Sequence, residues 1–332
     1  MVKVGLLGAG GIGAVHGAAY QRINRARVVA VADCVAEVAD TLAAELGARA
    51  YYSVDDLLND GEVEMVDICL PTHVHAEAVV RAAKAGKHIL CEKPIARNLD
   101  EADRMIEAAR QAGVKAMIAQ VVRFWPAYAT IKAIVEGGDL GAPLAATATR
   151  LVSHGRLGTG WHFDPERGGG ALLDLHIHDL DYLCDLFGRP KSVYALGVRS
   201  ESGTYDHVLT SLDYGETKAT AEASFRMPAG FPITFDFRLL GDKGCAQYRF
   251  VGGRLGGEGG DENELTVYVS GQNPRRLSCP ATDAFVAEID YFVGCILDDR
   301  QPVMASLEEA RSVLEVYLAA KQSLTTGQVV LL

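Results

Sequence analysis

The sequence lacks the features of a membrane protein and of a nucleic-acid-binding protein. No apolar run approaches the roughly 18 residues that cross a bilayer. Lysine and arginine number 32 against 43 aspartates and glutamates, which gives a net charge of −11, and no basic cluster interrupts this balance. Long-range electrostatics would therefore repel nucleic acid and anionic membranes. We expect neither as a partner.

The cysteines of this chain do not form the sequence patterns that bind metal or build disulfide frameworks. The seven cysteines are odd in number, and no two form a Cys-x-x-Cys pair. Cys69 and Cys91 lie in apolar runs that are typical of buried strands, where cysteine behaves as a small hydrophobe. We expect neither disulfides nor a zinc–thiolate site. Because the first predicted strand starts at Val2, we expect a cytoplasmic protein without a secretory leader.

What the chain does have is length and a regular alternation of apolar strands with helical segments. Its 332 residues, 49% of them apolar, suffice for two domains with sizeable cores. Up to about residue 120, Gly47, Gly86 and Gly113 stand where helices should stop. Continuous apolar strands alternating with helices predict a parallel sheet that is covered on both faces. The strands are predicted at 2–7, 28–32, 50–52, 65–70, 88–91 and 115–119, and the helices at 14–23, 35–46, 75–85 and 99–112.

Beyond residue 120 the pattern changes to short alternating runs with turn signals between them, which indicate an antiparallel meander. A helix is predicted over 170–187, and two more near the end of the chain. We therefore predict an α/β protein, with a doubly wound parallel-sheet domain over 1–120 and an α+β domain over 121–332. The second domain would contain a large, mainly antiparallel sheet. Its strands are predicted at 144–151, 192–198, 208–214, 218–225, 233–240, 245–251 and 265–269.

A glycine-rich segment follows the first strand directly and opens a helix. Gly8-Ala9-Gly10-Gly11-Ile12-Gly13 fits G-x-G-x-x-G, and backbone N–H groups at such a helix N-terminus favour a pyrophosphate. Gly8 permits the tight turn, Gly10 lets the phosphates approach, and Gly13 lets helix and strand pack closely. We predict that this segment, including Gly11 and Ile12, binds a dinucleotide rather than forming only a structural turn.

Asp33 ends the second strand, 20 residues beyond Gly13. A carboxylate at that position accepts hydrogen bonds from the adenosine ribose hydroxyls. A 2′-phosphate would be repelled there, and neither Cys34 nor Val35 supplies a compensating cation. The sequence therefore predicts NAD rather than NADP. Asp33 is also a candidate N-cap for the next helix, a role that is compatible with ribose binding.

Glu92-Lys93-Pro94 lies at the carboxyl end of a later strand, the edge at which open α/β sheets bind ligands. Lys93 could hydrogen-bond a reacting hydroxyl and stabilise its alkoxide character, although a single lysine is more often a solvated surface group. A proline that ends a strand at a ligand site often marks a deliberate sharp turn. We therefore predict a cis peptide between Lys93 and Pro94.

The segment 168–179 brings a carboxylate and two histidines together after three glycines. On the predicted helix, Asp174 and His178 lie about 40° apart on one face, whereas His176 points roughly 160° away from His178. A carboxylate beside an imidazole can tune it as a general base. If the segment were a strand, all three residues could be metal ligands, but the Leu and Tyr pattern favours a helix. We predict no metal site.

These three motifs, in this order and spacing, resemble the Gfo/Idh/MocA oxidoreductase family, which includes inositol dehydrogenases. The resemblance covers essentially the whole chain and extends to His16 in the first helix and to Pro71-Thr72-His73-Val74-His75. It implies that Lys93 orients and activates a substrate hydroxyl, that His178 is the general base, and that Asp174 tunes His178 or holds a neighbouring hydroxyl. Residues implied to line the cofactor are Gly8, Gly10, Gly11, Ile12, Gly13, Asp33, Pro71, His75, Glu92 and Lys93.

The resemblance also implies a substrate region in segments that face the nicotinamide. Aromatic faces that stack on sugar C–H groups, with polar groups that read hydroxyls, would suit a carbohydrate. An equally plain interpretation makes Trp161 a core residue and Arg156 a solvated one. The residues implied by the resemblance to contact substrate are Arg123, Trp161, His162, Asp174 and His178, and Trp125, His154 and Arg156 lie in the same segments.

We therefore expect an NAD-dependent dehydrogenase that acts on a hydroxyl of a sugar or polyol. One alternative is an NAD-dependent glycosidase that oxidises, eliminates and re-reduces without net redox change. Another is a non-catalytic sensor of NAD and a sugar, although such a sensor could lose Lys93, Asp174 and His178 freely. The second face of the large sheet, if apolar, would need a second subunit to cover it, so we expect a homodimer or homotetramer.

Overall fold

The chain divides into two units in a computed structural model that describes residues 1–153, 160–252, 262–279 and 282–332. The first unit contains Met1–Val121 and Ala284–Arg311, and the second contains Val122–Asp283 and Ser312–Leu332. The first break lies next to the predicted boundary at residue 120. Residues 284–311, in contrast, were expected in the second domain. They belong to the first unit because the apolar helix there packs on its first helix and first strand, and apolarity alone does not reveal such a partner.

A six-stranded parallel sheet forms the centre of the first unit, which confirms the predicted fold of this region. Its strand order is β3-β2-β1-β4-β5-β6, so the order reverses between β1 and β4, where doubly wound sheets bind ligands. The strands are short, and all except β3 are mostly buried. They are β1 (Val2–Leu7), β2 (Ala26–Ala32), β3 (Arg49–Tyr51), β4 (Met65–Ile68), β5 (His88–Glu92) and β6 (Ala116–Ala119).

Helices connect these strands, and most of them end near the glycines that were predicted to stop them. Gly47 and Gly113 follow two of them in the left-handed region, with φ of 62° and 67°. The five-residue α3 has no counterpart in the sequence prediction, because one turn of helix is too short to show a period. The helices are α1 (Gly11–Tyr20), α2 (Ala36–Leu46), α3 (Val54–Leu58), α4 (His75–Lys84), α5 (Leu99–Ala112) and α9 (Ala284–Leu297).

A nine-stranded sheet forms the second unit, with the order β14-β13-β12-β11-β7-β10-β9-β8-β15. Every neighbouring pair is antiparallel except β7 and β10, which confirms the predicted large and mainly antiparallel sheet. The strands are β7 (Pro143–Ser153), β8 (Ser192–Arg199), β9 (Tyr205–Asp213), β10 (Lys218–Met227), β11 (Ile233–Gly241), β12 (Gly244–Gly252), β13 (Glu262–Val269), β14 (Arg275–Leu277) and β15 (Val330–Leu331).

The prediction of one helix over 170–187 is wrong, because the structure has two helices there. They are α7 (Gly170–Asp174) and α8 (Ile177–Phe187). The backbone N–H of His176 donates to the carbonyl of Ala171, five residues back, and this bond closes α7 before α8 begins. Asp174 and His178 therefore do not share one helix face, and the 40° argument no longer applies to them.

The two remaining α-helices are α6 (Pro126–Glu136) and α10 (Leu307–Thr326). In the second unit, α7 packs on β9 and β10, and α8 packs on β7 and β10. Both helices therefore pack on the central strands of the nine-stranded sheet. Within the described ranges, no helix is both long and apolar enough to cross a membrane.

Candidate active site

The glycine loop between β1 and α1 combines two crowded glycines with two open ones. Gly8 has φ of 98°, and a Cβ there would collide with the carbonyl oxygen of Cys69. A Cβ on Gly13 would collide with the carbonyl oxygen of Gly8. On Gly10 or Gly11, however, a Cβ would meet no atom within 4 Å. The open side of this loop at the N-terminus of α1 therefore fits the pyrophosphate of a dinucleotide.

Asp33 connects the end of β2 to this loop. Its Oδ2 accepts a hydrogen bond from the N–H of Ala9 at 2.9 Å, and its Oδ1 accepts one from Val35 at 2.9 Å. Val35, rather than Asp33, occupies the N-cap position of α2. The two backbone donors fix the carboxylate, and each oxygen keeps a further lone pair for a ribose hydroxyl.

The turn after β5 carries Lys93. The Lys93–Pro94 peptide is cis, which confirms the prediction. Lys93 is half-buried, and its backbone N–H donates to Glu92 Oε2 at 3.0 Å. The carboxylate of Glu92 thus turns back onto the backbone of the residue that follows it, and this contact helps to set the shape of the turn.

His75, the first residue of α4, supports the same turn. Its ring is buried, with Nδ1 lying 2.9 Å from the carbonyl oxygen of Pro94 and Nε2 lying 2.7 Å from that of Leu70. Burial lowers the pKa of His75, and the two carbonyl oxygens oppose that shift. The ring therefore connects the turn at Pro94 with the segment that leads into Pro71, which gives His75 a role in shaping these two loops.

His16 and Asp67 form a buried contact to which the sequence assigned no role. His16 Nδ1 lies 2.9 Å from Asp67 Oδ2, which also accepts a hydrogen bond from the hydroxyl of Tyr20. Burial works against the charged form of His16, but Asp67 outweighs it and the pKa is raised well above the ordinary value of 6.5. Asp67 is a charge inside an otherwise apolar strand, and this is the signal that could have identified the contact.

Cys69 lies next to these two groups and raises the question of a metal ion. The ligand atoms of His16, Asp67 and Cys69 all lie within 4.8 Å of one another. Burial raises the pKa of the Cys69 thiol, however, and Asp67 adds to that shift. Both effects work against the thiolate that a metal ion requires, so we interpret the cluster as a hydrogen-bonded group.

In the second unit, three of the predicted site residues lie together. His162 Nδ1 is 3.2 Å from Asp174 Oδ2, and the ring of Trp161 stacks on His162 with 3.8 Å between centroids. Trp161 and His162 are both half-exposed, so Trp161 is not a core residue. His178 is also half-exposed and lies in the first turn of α8. His154 and Arg156 lie outside the described residues.

Arg123 and His176 lie in the interior of the second unit. Arg123 is 4% exposed, and its guanidinium donates two hydrogen bonds to Asp181 and lies 3.3 Å from Asp185. His176 is fully buried and its Nε2 lies 2.8 Å from Thr210 Oγ1. Burial lowers the pKa of His176 to about 4, so its ring is neutral at physiological pH. These contacts give both residues a structural role.

The fold and the glycine loop together define an NAD-binding oxidoreductase. Residues 2–120 match the model of an oxidoreductase family with an NAD-binding Rossmann fold, and residues 128–247 match the model of the GFO/IDH/MocA C-terminal domain. The chain therefore belongs to the Gfo/Idh/MocA oxidoreductase family, as the three motifs predicted. Its cofactor is NAD.

Relatives match the chain over most or all of its length. An uncharacterised oxidoreductase of Bacillus subtilis (strain 168) is 31% identical, over 74% of this chain and 73% of its own. The myo-inositol 2-dehydrogenase of Thermotoga maritima is 28% identical, over 97% of this chain and 96% of its own. The solved structure of levoglucosan dehydrogenase with NADH and levoglucosan shares the fold with a TM-score of 0.87 at 23% identity, covering 99% of this chain and 98% of its own.

Proposed function

We propose that the protein is a dehydrogenase that transfers a hydride between NAD and a hydroxyl-bearing carbon of a sugar or polyol, such as an inositol. The observation that carries the proposal is the fit of the glycine loop, Asp33 and the Lys93 turn to this chemistry. The end-to-end similarity to a myo-inositol 2-dehydrogenase supports the substrate class.

The residues divide between cofactor and proton handling. The N–H groups at Gly10–Gly13 would hold the pyrophosphate and Asp33 the adenosine ribose, with Pro71 and Glu92 lining the cofactor. NAD, when bound, supplies the hydride acceptor. Lys93 donates a hydrogen bond to the substrate hydroxyl and stabilises the developing alkoxide, and His178 accepts the proton.

The remaining residues would bind the sugar. Trp161 offers a half-exposed ring to C–H groups, and His162 and Asp174 offer paired polar groups to hydroxyls. Arg123 would contribute through the segment that it anchors, because its guanidinium is engaged by Asp181. The relatives named for their chemistry are dehydrogenases or a reductase, so neither the glycosidase nor the sensor is favoured.

A screen of inositols, hexoses, deoxy sugars and sugar acids, followed at the NADH absorbance, tests the reaction. On the substrate found, Lys93→Ala and His178→Ala should each lower kcat by at least about 10²-fold, the scale for losing a positioned acid–base group. NADH affinity, measured by fluorescence titration, should change little for His178→Ala.

Lys84→Ala and His207→Ala are the matched controls. Lys84 is exposed at the end of α4, and His207 is half-exposed on β9, so both variants should keep the wild-type kcat. Oxidation of none of the compounds, or a wild-type kcat in Lys93→Ala, would contradict the proposal.

We further propose a homodimer or homotetramer in the cytoplasm. Leu196, Leu209, Leu240 and Tyr268 are 44–54% exposed on the strands of the large sheet, which supports a second subunit on that face. All seven cysteines are free, which is in keeping with a reducing compartment.

A further inference from the structure

Asp67 is a buried charge at the centre of the first unit. The four residues of β4, Met-Val-Asp-Ile, are all buried, and the exposed fraction of Asp67 is 0%. A carboxylate in such a place is stable only when it is paired and hydrogen-bonded. Its Oδ2 faces the His16 ring and the Tyr20 hydroxyl of α1, and its Oδ1 accepts a hydrogen bond from the Cys69 thiol.

The His16 ring joins this carboxylate to a second one. Nε2 of His16 lies 3.1 Å from Glu92 Oε1 at the end of β5, while Nδ1 lies 2.9 Å from Asp67 Oδ2. The contact with Glu92 is an ion pair rather than a hydrogen bond, and an imidazole carries the positive charge for it only when it is protonated. The raised pKa of His16 agrees with this state. The ring is fully buried, and the ring of Phe285 in α9 lies 5.7 Å from it.

The Glu92 carboxylate contacts both the His16 ring and the backbone of Lys93. One carboxylate oxygen, Oε1, contacts His16, and the other, Oε2, accepts the N–H of Lys93 at 3.0 Å. An unbroken series of contacts therefore runs from Asp67 in β4 through His16 in α1 to Glu92 in β5 and then to Lys93. A rotation of the Glu92 carboxylate would move the acceptor away from the Lys93 N–H.

We propose that His16 is a positioning residue: its imidazolium fixes the Glu92 carboxylate, and Glu92 fixes the peptide of Lys93 and hence the direction from which Lys93 reaches the substrate. The inference rests on the proposed function, in which Lys93 contacts the reacting hydroxyl. Catalysis is sensitive to such placement, because a displacement of about 1 Å can cost 10²-fold in rate.

Two amide replacements of His16 distinguish the contributions of its two ring nitrogens. The amide nitrogen of asparagine lies near the place of Nδ1, and that of glutamine near the place of Nε2. His16→Gln therefore keeps the positive end of an N–H dipole toward Glu92, whereas His16→Asn keeps one toward Asp67. Both variants remove the positive charge, so each is the matched control of the other.

In the assay for the proposed reaction, His16→Asn should lower kcat about 10-fold or more, with KM for NAD changed less than about twofold. His16→Gln should stay within about threefold of the wild-type kcat. An equal loss of kcat in both variants, or a larger loss in His16→Gln, would show that His16 acts only by pairing with Asp67 and stabilising the fold. Either result would overturn the inference.

Amide exchange gives a measurement that needs neither substrate nor cofactor. Hydrogen–deuterium exchange of the Lys93 N–H in the full chain should accelerate at least about tenfold in His16→Asn and stay near the wild-type rate in His16→Gln. Unchanged exchange in His16→Asn would overturn the inference even if the enzyme is active. If no sugar or polyol is oxidised, the proposed function fails, and the exchange rates still decide whether His16 holds the Lys93 turn.

If His16→Asn does not fold, Glu92→Gln provides a second test. The glutamine carbonyl can still accept the Lys93 N–H, but the charge beside His16 is lost. A proton NMR titration of the His16 ring should then show a lower pKa than in the wild type. An unchanged His16 pKa would show that Glu92 and His16 are not in contact and would overturn the inference.

Discussion

At the scale of single residues, buried histidines differ in charge according to what faces their nitrogens. His16 and His176 both have an exposed fraction of 0%. His16 faces Asp67, and its pKa is raised despite burial. His176 faces the Thr210 hydroxyl, and burial lowers its pKa to about 4. The stability that His16 contributes is lost as the pH rises through its raised pKa, and the stability that His176 contributes is lost as the pH falls.

His176 gives a prediction for acid stability. Its folded pKa lies below the unfolded value of about 6.5, so its contribution is complete above pH 6.5 and falls away toward pH 4, by up to about 3 kcal/mol. His176→Gln can keep a hydrogen bond to Thr210 but does not titrate. We expect urea unfolding at a series of pH values to show a flatter acid limb for the variant.

His207→Gln is the control for this measurement. His207 is half-exposed on β9, so its replacement should leave the acid limb as steep as in the wild type. A wild-type slope between pH 6.5 and 4 in His176→Gln would contradict the interpretation of a neutral, buried ring.

At the scale of elements, regular segments were predictable and interruptions were not. The strands of the first unit were predicted within a few residues, because short apolar runs bounded by glycine have one common interpretation. The break between α7 and α8 depends on the backbone bond from His176 to Ala171 and on the contact of His176 with Thr210. Neither contact leaves a trace in the Leu and Tyr pattern of α8.

In the candidate site, too, some features could be predicted from the sequence and others could not. The glycine loop, Asp33 and Lys93 follow from fixed spacings along a strand–turn–helix unit, and such spacings can be read from the sequence. The His16–Asp67–Glu92 contact joins side chains that are up to 76 positions apart. An aspartate in an apolar strand signals that a partner must exist, but only the order β1-β4-β5 shows which residue it is.

The β1–α1–β2 segment gives a prediction for the choice between NAD and NADP. The N–H groups of Ala9 and Val35 fix the Asp33 carboxylate at the end of β2, where the proposed function places the ribose of the dinucleotide. Asp33→Ser removes the charge that repels a 2′-phosphate. We expect fluorescence titration to show weaker NADH binding and a ratio of NADH to NADPH affinity that falls by about 10-fold or more.

Asp40→Ser is the matched control, because Asp40 is an exposed carboxylate on the neighbouring α2. Its removal should leave the ratio of affinities unchanged. An affinity for NADPH equal to that for NADH in the wild type would show that Asp33 does not contact the ribose.

At the scale of the whole molecule, the nine-stranded sheet has one face packed on α7 and α8 and a second face that carries exposed apolar side chains. Leu196 and Leu209 lie opposite each other on β8 and β9. Cys245 on β12 pairs with Leu240 on β11 and with Tyr268 on β13, so these three residues lie in one row across the sheet. Apolar positions distributed over so many strands favour a broad interface over a small ligand site.

A second copy of the chain is the proposed cover for this face, since most oligomers of soluble proteins are symmetric. Light scattering at micromolar concentration should give the mass of a dimer or tetramer. Leu196→Glu combined with Leu209→Glu places like charges opposite each other in both copies and should shift the mass toward the monomer. Val303→Glu is the control, because Val303 is 75% exposed and belongs to the first unit. A monomeric wild type at that concentration would show that the sheet face is not an interface, and a loss of assembly in Val303→Glu would locate the interface elsewhere.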